Sequence, residues 1–155
     1  MESLDTLSRE PLSTVLAGTW ELLSREDHTH AGERRVEPSL GANPTAVLFF
    51  DKKGHFSAQF MKRDRDRAPE VEAAKSVPNN SRAHGGYDAY FGTYSIDDSL
   101  GTVTTRLVGA LSAENVGQVF TRVMSVVGDE LTIRLETASS SGEPVIRTLR
   151  WRRIG

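Results

Sequence analysis

A chain of 155 residues with formal net charge −2, 37% hydrophobic and 26% charged side chains reads as one globular domain. It has no cysteine, which excludes disulfides, thiolate metal sites and cysteine nucleophiles together. The near-neutral charge argues against a general nucleic-acid binder, and the longest apolar run, 46–50, is far too short for a helical membrane span.

Residues 1–12 form a polar lead-in, helical over 3–10, and the domain proper runs over 13–155. Residues 1–11 have no apolar core of a secretory signal, so the cytoplasm is the expected compartment. A first strand is predicted over 16–25 and a weaker one over 34–38. Segments 45–50 and 55–61 flank Asp51-Lys52-Lys53-Gly54, a strand–turn–strand signature in which Gly54 supplies the positive φ. A long excursion over 62–89 then breaks the rhythm, with a short helix over 68–75 entered through Pro69. Excursions of this length often act as lids or binding loops. Strands follow over 90–96, 102–111, 118–127, 130–136 and 144–154, separated by Gly-, Asp- and Ser-rich turns. Short strands at this spacing, with no βαβ alternation, predict an all-β sandwich or barrel.

Two late strands alternate cleanly. Leu131, Ile133 and Leu135 oppose Thr132, Arg134 and Glu136, and Leu149 and Trp151 oppose Thr148, Arg150 and Arg152. Segment 118–127 is apolar on both faces, with Val119, Val123 and Val127 on one and Phe120, Met124 and Val126 on the other beside Arg122. Side chains neither fully packed nor fully wet are what a ligand-holding barrel puts inside.

Gly18-Thr19-Trp20 resembles the G-x-W element of lipocalins, and Arg150-Trp151-Arg152-Arg153 the late strand whose arginine packs over that tryptophan. With 54–59 and 85–117, these segments make the chain similar to the bacterial and fungal lipocalin-like domain family, from about residue 16 to the end. The resemblance implies an up-and-down antiparallel barrel of about eight to ten strands around a cavity, with the short helix between the fourth and fifth strands.

Several residues could serve such a cavity. Tyr90 and Tyr94 share a strand face, and His84 and Tyr87 lie where the excursion re-enters the barrel. Phenols there can bond a carbonyl or stack on a planar ligand. Arg106 and Arg122, on neighbouring strands, form a candidate clamp for a carboxylate or enolate. His55 and Gln59 share one face of their strand; His55 is the natural acid–base candidate, although its place after the turn glycine suits the rim equally. Asn115 is placed to donate at the mouth, and Trp20 completes the ligand-binding candidates. His28 and His30, with Glu33, are too few to define a metal site, and no cofactor is expected.

The expected function is a barrel holding a small, largely apolar or amphipathic molecule by its polar end. No nucleic-acid or membrane partner is expected. The alternative is a cofactor-independent isomerase or cyclase acting on a natural-product-like, polyketide-like intermediate, with Tyr90, Tyr94, His55 and Arg106 as catalytic groups. A dimerising domain with a filled core, a homodimer, is the third class.

Overall fold

The computed structural model describes residues 10–65 and 84–155. Among these residues a short helix, α1 (Leu12–Val15), leads into nine strands: β1 (Gly18–His28), β2 (Arg34–Arg35), β3 (Thr45–Phe50), β4 (His55–Met61), β5 (Tyr87–Asp97), β6 (Thr102–Ala110), β7 (Val119–Val127), β8 (Glu130–Ala138) and β9 (Pro144–Arg153). Every pairing is antiparallel between chain neighbours, except that β1 pairs with β3, past β2, and with β9. That last seam closes eight strands into a barrel, leaving β2 as an addition on the far end of β1. Closure removes the open edges that would otherwise invite pairing with another chain. The helices expected over 3–10 and 68–75 lie outside the described residues, whereas α1 precedes β1.

Alternation decides what enters the barrel. Inward positions are Phe56, Ala58 and Phe60 on β4, Val103, Thr105 and Leu107 on β6, and Leu131 and Ile133 on β8. β7 is more one-sided than its composition suggests: Met124 and Val126 are buried, while Val119, Val123 and Val127 stand exposed on the outside. Beside the bulge between Phe91 and Gly92, a side chain at Gly92 would run into the Arg106 carbonyl, so glycine is required there.

The two ends differ. At one, the tight β3–β4, β5–β6 and β7–β8 turns gather around α1, whose Ser13 bonds Asp98 in the β5–β6 turn. Leu12 and Leu16 sink into the core there, and the Trp20 indole donates to the Leu16 carbonyl at 3.0 Å. The Arg153 guanidinium lies 4.3 Å from the Trp20 ring centre and donates to the carbonyls of Ala17 and Val15, which α1 leaves without helical partners. A Cβ on Gly18 would fall 2.5 Å from that guanidinium, and its φ of 148° is disfavoured for other residues. These contacts account for the glycine, the tryptophan and the late arginine as one unit. The opposite end carries the β1–β3, β6–β7 and β8–β9 connections, each longer than the turns of the first end, and is taken as the mouth.

Candidate functional site

Inside the barrel, aromatic rings climb from the closed end toward the mouth. Tyr94 packs edge-on to Phe50 (4.9 Å between ring centres), Phe50 meets Phe56 (6.3 Å), and Phe56 meets Tyr90 (6.0 Å). Phe60 then stacks on Tyr90 (6.3 Å) and meets Trp151 edge-on (5.7 Å). Between these rings and Leu107, Met124 and Leu149 the barrel is hollow. Water centres have about 70 Å³ to occupy there, several times what one buried water needs. The interior is not packed solid.

The polar part of that lining is rich in donors. Tyr90, Thr105, Asn115, Arg122 and Arg147 all border the cavity, as does the indole of Trp151. Asn115 reaches it from the one-turn helix in the β6–β7 connection and is buried. Among the described residues, Asn115 Nδ2 and Trp151 Nε1 are buried donors with no acceptor. Arg122, over the Phe120 ring at 4.6 Å, is lowered to about 10, first by burial; Tyr90 opposes that shift and Arg147 adds to it.

Above the cavity, toward the mouth, lies a layer of buried charge. Arg147 grips its strand neighbour Asp27 through two parallel bonds, Nε to Oδ1 at 2.8 Å and Nη2 to Oδ2 at 2.9 Å. Arg25 donates from Nη1 to Glu37 Oε1 at 3.4 Å. Glu37 belongs to the β2–β3 connection and also accepts from the Ser39 backbone (2.8 Å), the Ser39 hydroxyl (2.6 Å) and the Leu40 backbone (3.2 Å). Four bonds on one carboxylate pin that connection into the mouth, with Leu40 fully buried beneath it. Burial lowers Arg25 to about 10, with Arg147 adding to the effect. Asp88, on β5, is fully buried, and burial pushes its carboxyl up to about 7 against the pull of the Ala89 backbone N–H and of Arg25.

A family model described as a lipocalin-like domain matches residues 17–154. The chain belongs to that family. No curated protein matches it. Among the described residues of this lipocalin-like domain no helix is long and apolar enough to cross a membrane.

Of the residues singled out by sequence, the lipocalin-like barrel brings Tyr90, Asn115 and Arg122 together at the cavity. The others stand elsewhere. Arg106 is exposed on the outer face of β6, because Thr105 and Leu107 take the inward positions, so it cannot clamp a ligand with Arg122. His55 and Gln59 point outward for the same reason, opposite Phe56, Ala58 and Phe60. His55 bonds Asp51 at 3.2 Å in the turn at the closed end, and Gln59 lines an outer groove with Tyr87 and Met61. Tyr87 is outward because its neighbour Asp88 is inward, and its ring faces Arg65. His84 is exposed and bridges Tyr87 across a turn. Tyr94 does point inward, but it plugs the closed end, donating to the Asp51 carbonyl. Its phenol is raised by burial and by Asp51. Trp20 is core, wholly buried beneath Arg153. His28 and His30 diverge, toward Glu26 and Glu136. The proposed lid falls largely on 66–83, outside the described residues.

Sequence reading missed Arg25, Asp27, Asp88 and Arg147. Arg147 and Asp88 carried a signal, since Arg147 is in phase with Leu149 and Trp151, and Asp88 with Tyr90 and Tyr94. Arg25 and Asp27 did not. A bulge between Leu22 and Ser24 shifts the phase of β1, so the positions after it cannot be assigned from Trp20 by counting.

Proposed function

We propose that this barrel binds one small molecule with a flat, mostly apolar body and an acceptor-bearing end, held in the central cavity. The observation that carries this reading is the pair of buried donors without acceptors, Asn115 Nδ2 and Trp151 Nε1, on walls that are otherwise aromatic and aliphatic. Buried donors left unmade cost stability in the free protein. A carbonyl-type oxygen on a ligand relieves that cost, and the rings around it supply stacking surface. Native mass spectrometry of the purified protein, before and after denaturing extraction, reports whether one is carried.

The direct test uses matched probes. 2-Acetylnaphthalene and 2-ethylnaphthalene share a shape and differ in one acceptor. Titrated against tryptophan fluorescence, the ketone is expected to bind about tenfold or more tightly, the worth of one well-made bond in a dry site. Asn115→Leu is expected to erase most of the difference. Equal binding of the two probes by the unmodified protein, or no binding of either, defeats the reading.

A second reading, a cofactor-independent isomerase or cyclase, is favoured by one observation: Tyr90 and Arg122 both border the cavity. A phenol there could hand a proton to a substrate carbonyl while the guanidinium steadies the developing oxyanion. The natural-product-like class of substrate is part of the same reading. Tyr90→Phe separates the two readings, because an enzyme keeps its ligand and loses turnover, whereas a carrier is left unchanged.

A further inference from the structure

The barrel contains two buried arginines on adjacent strands that differ in one respect. Arg147 presents the edge formed by Nε and Nη2 to Asp27, and both nitrogens are bonded. Arg25 is equally buried, yet the same edge of its guanidinium, Nε and Nη2, has no protein partner; only Nη1 is engaged, by Glu37 at 3.4 Å. A guanidinium edge of this kind matches the two oxygens of a carboxylate through parallel bonds. Asp88 lies within electrostatic reach of Arg25. Its Oδ1 accepts the Ala89 N–H at 3.0 Å, and its Oδ2 is buried without a partner. Two donors and one carboxyl oxygen, all sealed from solvent and none hydrogen-bonded within the protein, therefore lie in the charged layer.

The geometry points to a second polar subsite in which the Nε/Nη2 edge of Arg25, with the Oδ2 of Asp88 beside it, anchors a carboxylate carried by the molecule in the cavity. Arg25 stands opposite Leu149 across the β1–β9 seam, and Asp88 shares a face of β5 with Tyr90; Leu149 and Tyr90 both border the cavity. Asp88 would donate to the incoming carboxylate in its acid form. Burial holds its carboxyl up to about 7, so the acid form persists in mildly acidic to neutral conditions. The charged and titratable groups acting on Arg25 and Asp88 are Asp27 from β1, Glu37 from the β2–β3 connection, Tyr90 from β5 and Arg147 from β9. An ionised Asp88 would repel the ligand's carboxylate, so binding weakens as pH rises through the region of 7.

This inference rests on the ligand-binding reading, and its test keeps the two apart. 2-Naphthoate and 2-acetylnaphthalene have the same body and differ in a carboxylate against a methyl ketone. At pH 6 the unmodified protein is expected to prefer naphthoate by at least tenfold. In Arg25→Met that ratio is expected to fall to near one while the ketone's affinity changes less than twofold. Arg25→Lys preserves the charge and loses the paired donors, so it serves if the methionine variant does not fold, and it is expected to lose most of the preference too. Asp88→Asn is expected to abolish the weakening between pH 6 and 8. Equal affinity for the two probes in the unmodified protein overturns the subsite, as when Arg25 and Asp88 are satisfied by ordered water alone. A preference that survives in both Arg25 variants also overturns it, by assigning the carboxylate to the arginines of the cavity wall. Failure of the ketone itself to bind defeats the ligand-binding reading and the subsite with it.

Discussion

The lower and upper halves of the barrel interior solve opposite problems. At the closed end Trp20 bonds Leu16, Tyr94 bonds Asp51, and Arg153 bonds Ala17 and Val15 while covering the Trp20 ring. In the upper half Arg25 and Asp88 are as deeply buried, yet each keeps polar atoms without a hydrogen-bond partner, as does Asn115. Burial alone therefore does not mark a binding region. Unbalanced burial does, because polar atoms that the fold desolvates without satisfying lower stability and raise the reward for a ligand.

The contrast can be broken most severely at Arg147. Replacing it with methionine strands Asp27 as a buried charge without its partner, and the expected loss is about 3–5 kcal/mol, read as a lower urea midpoint. A smaller effect, of opposite sign, is expected at Asp88. Burial pushes its folded carboxyl up to about 7, well above the ordinary carboxylate range, so the folded state holds a proton that the unfolded chain has already released. Stability is then greatest below the unfolded value and falls as pH rises from about 4 to about 7. Asp88→Asn removes this slope, and at pH 8 the variant is expected to be the more stable protein by roughly 1–3 kcal/mol. Paired denaturation curves at pH 4.5 and pH 8 decide it; a variant less stable than the parent at pH 8 would refute the assignment. The smallest effect belongs to the closed end. Tyr94→Phe loses one bond to a turn carbonyl and keeps its ring against Phe50, so about 0.5–1.5 kcal/mol is expected, with no change in binding of either naphthalene ketone or acid.

Much of the architecture was legible because alternation and turn glycines speak directly to strand number and order. The β3–β4 hairpin around Gly54 and the late strands follow from the residues themselves, whereas the grouping of Gly18, Trp20 and a late arginine came from the family resemblance. The site was harder. Tyr90 and Arg122 reach the cavity from strands whose inward face was not legible, since segment 118–127 is apolar on both sides, and Asn115 arrives from the β6–β7 connection. Arg106, His55 and Gln59 were misplaced because a period of two separates two faces without saying which one is inside; apolar neighbours had to decide, and at Gln59 the flanking Ala58 and Phe60 did so clearly. Asp88 was lost by starting its strand at Tyr90 instead of Tyr87. Arg25 and Asp27 lay beyond any such rule, because the bulge at Leu22 and Ser24 resets the phase and a charged residue on an inward position looks like surface.

The seam between β1 and β9 joins the barrel strands farthest apart along the chain. A ribosome releases them in order, so Trp20 must wait for Arg153, and Asp27 for Arg147, until nearly all the intervening strands have emerged. Contacts so distant in sequence make for slow folding. During that interval β1 presents an unpaired edge and two acidic or aromatic groups without their arginines. The nascent barrel is thus most exposed to mispairing late in synthesis, and the last strand acts as the clasp that ends the risk.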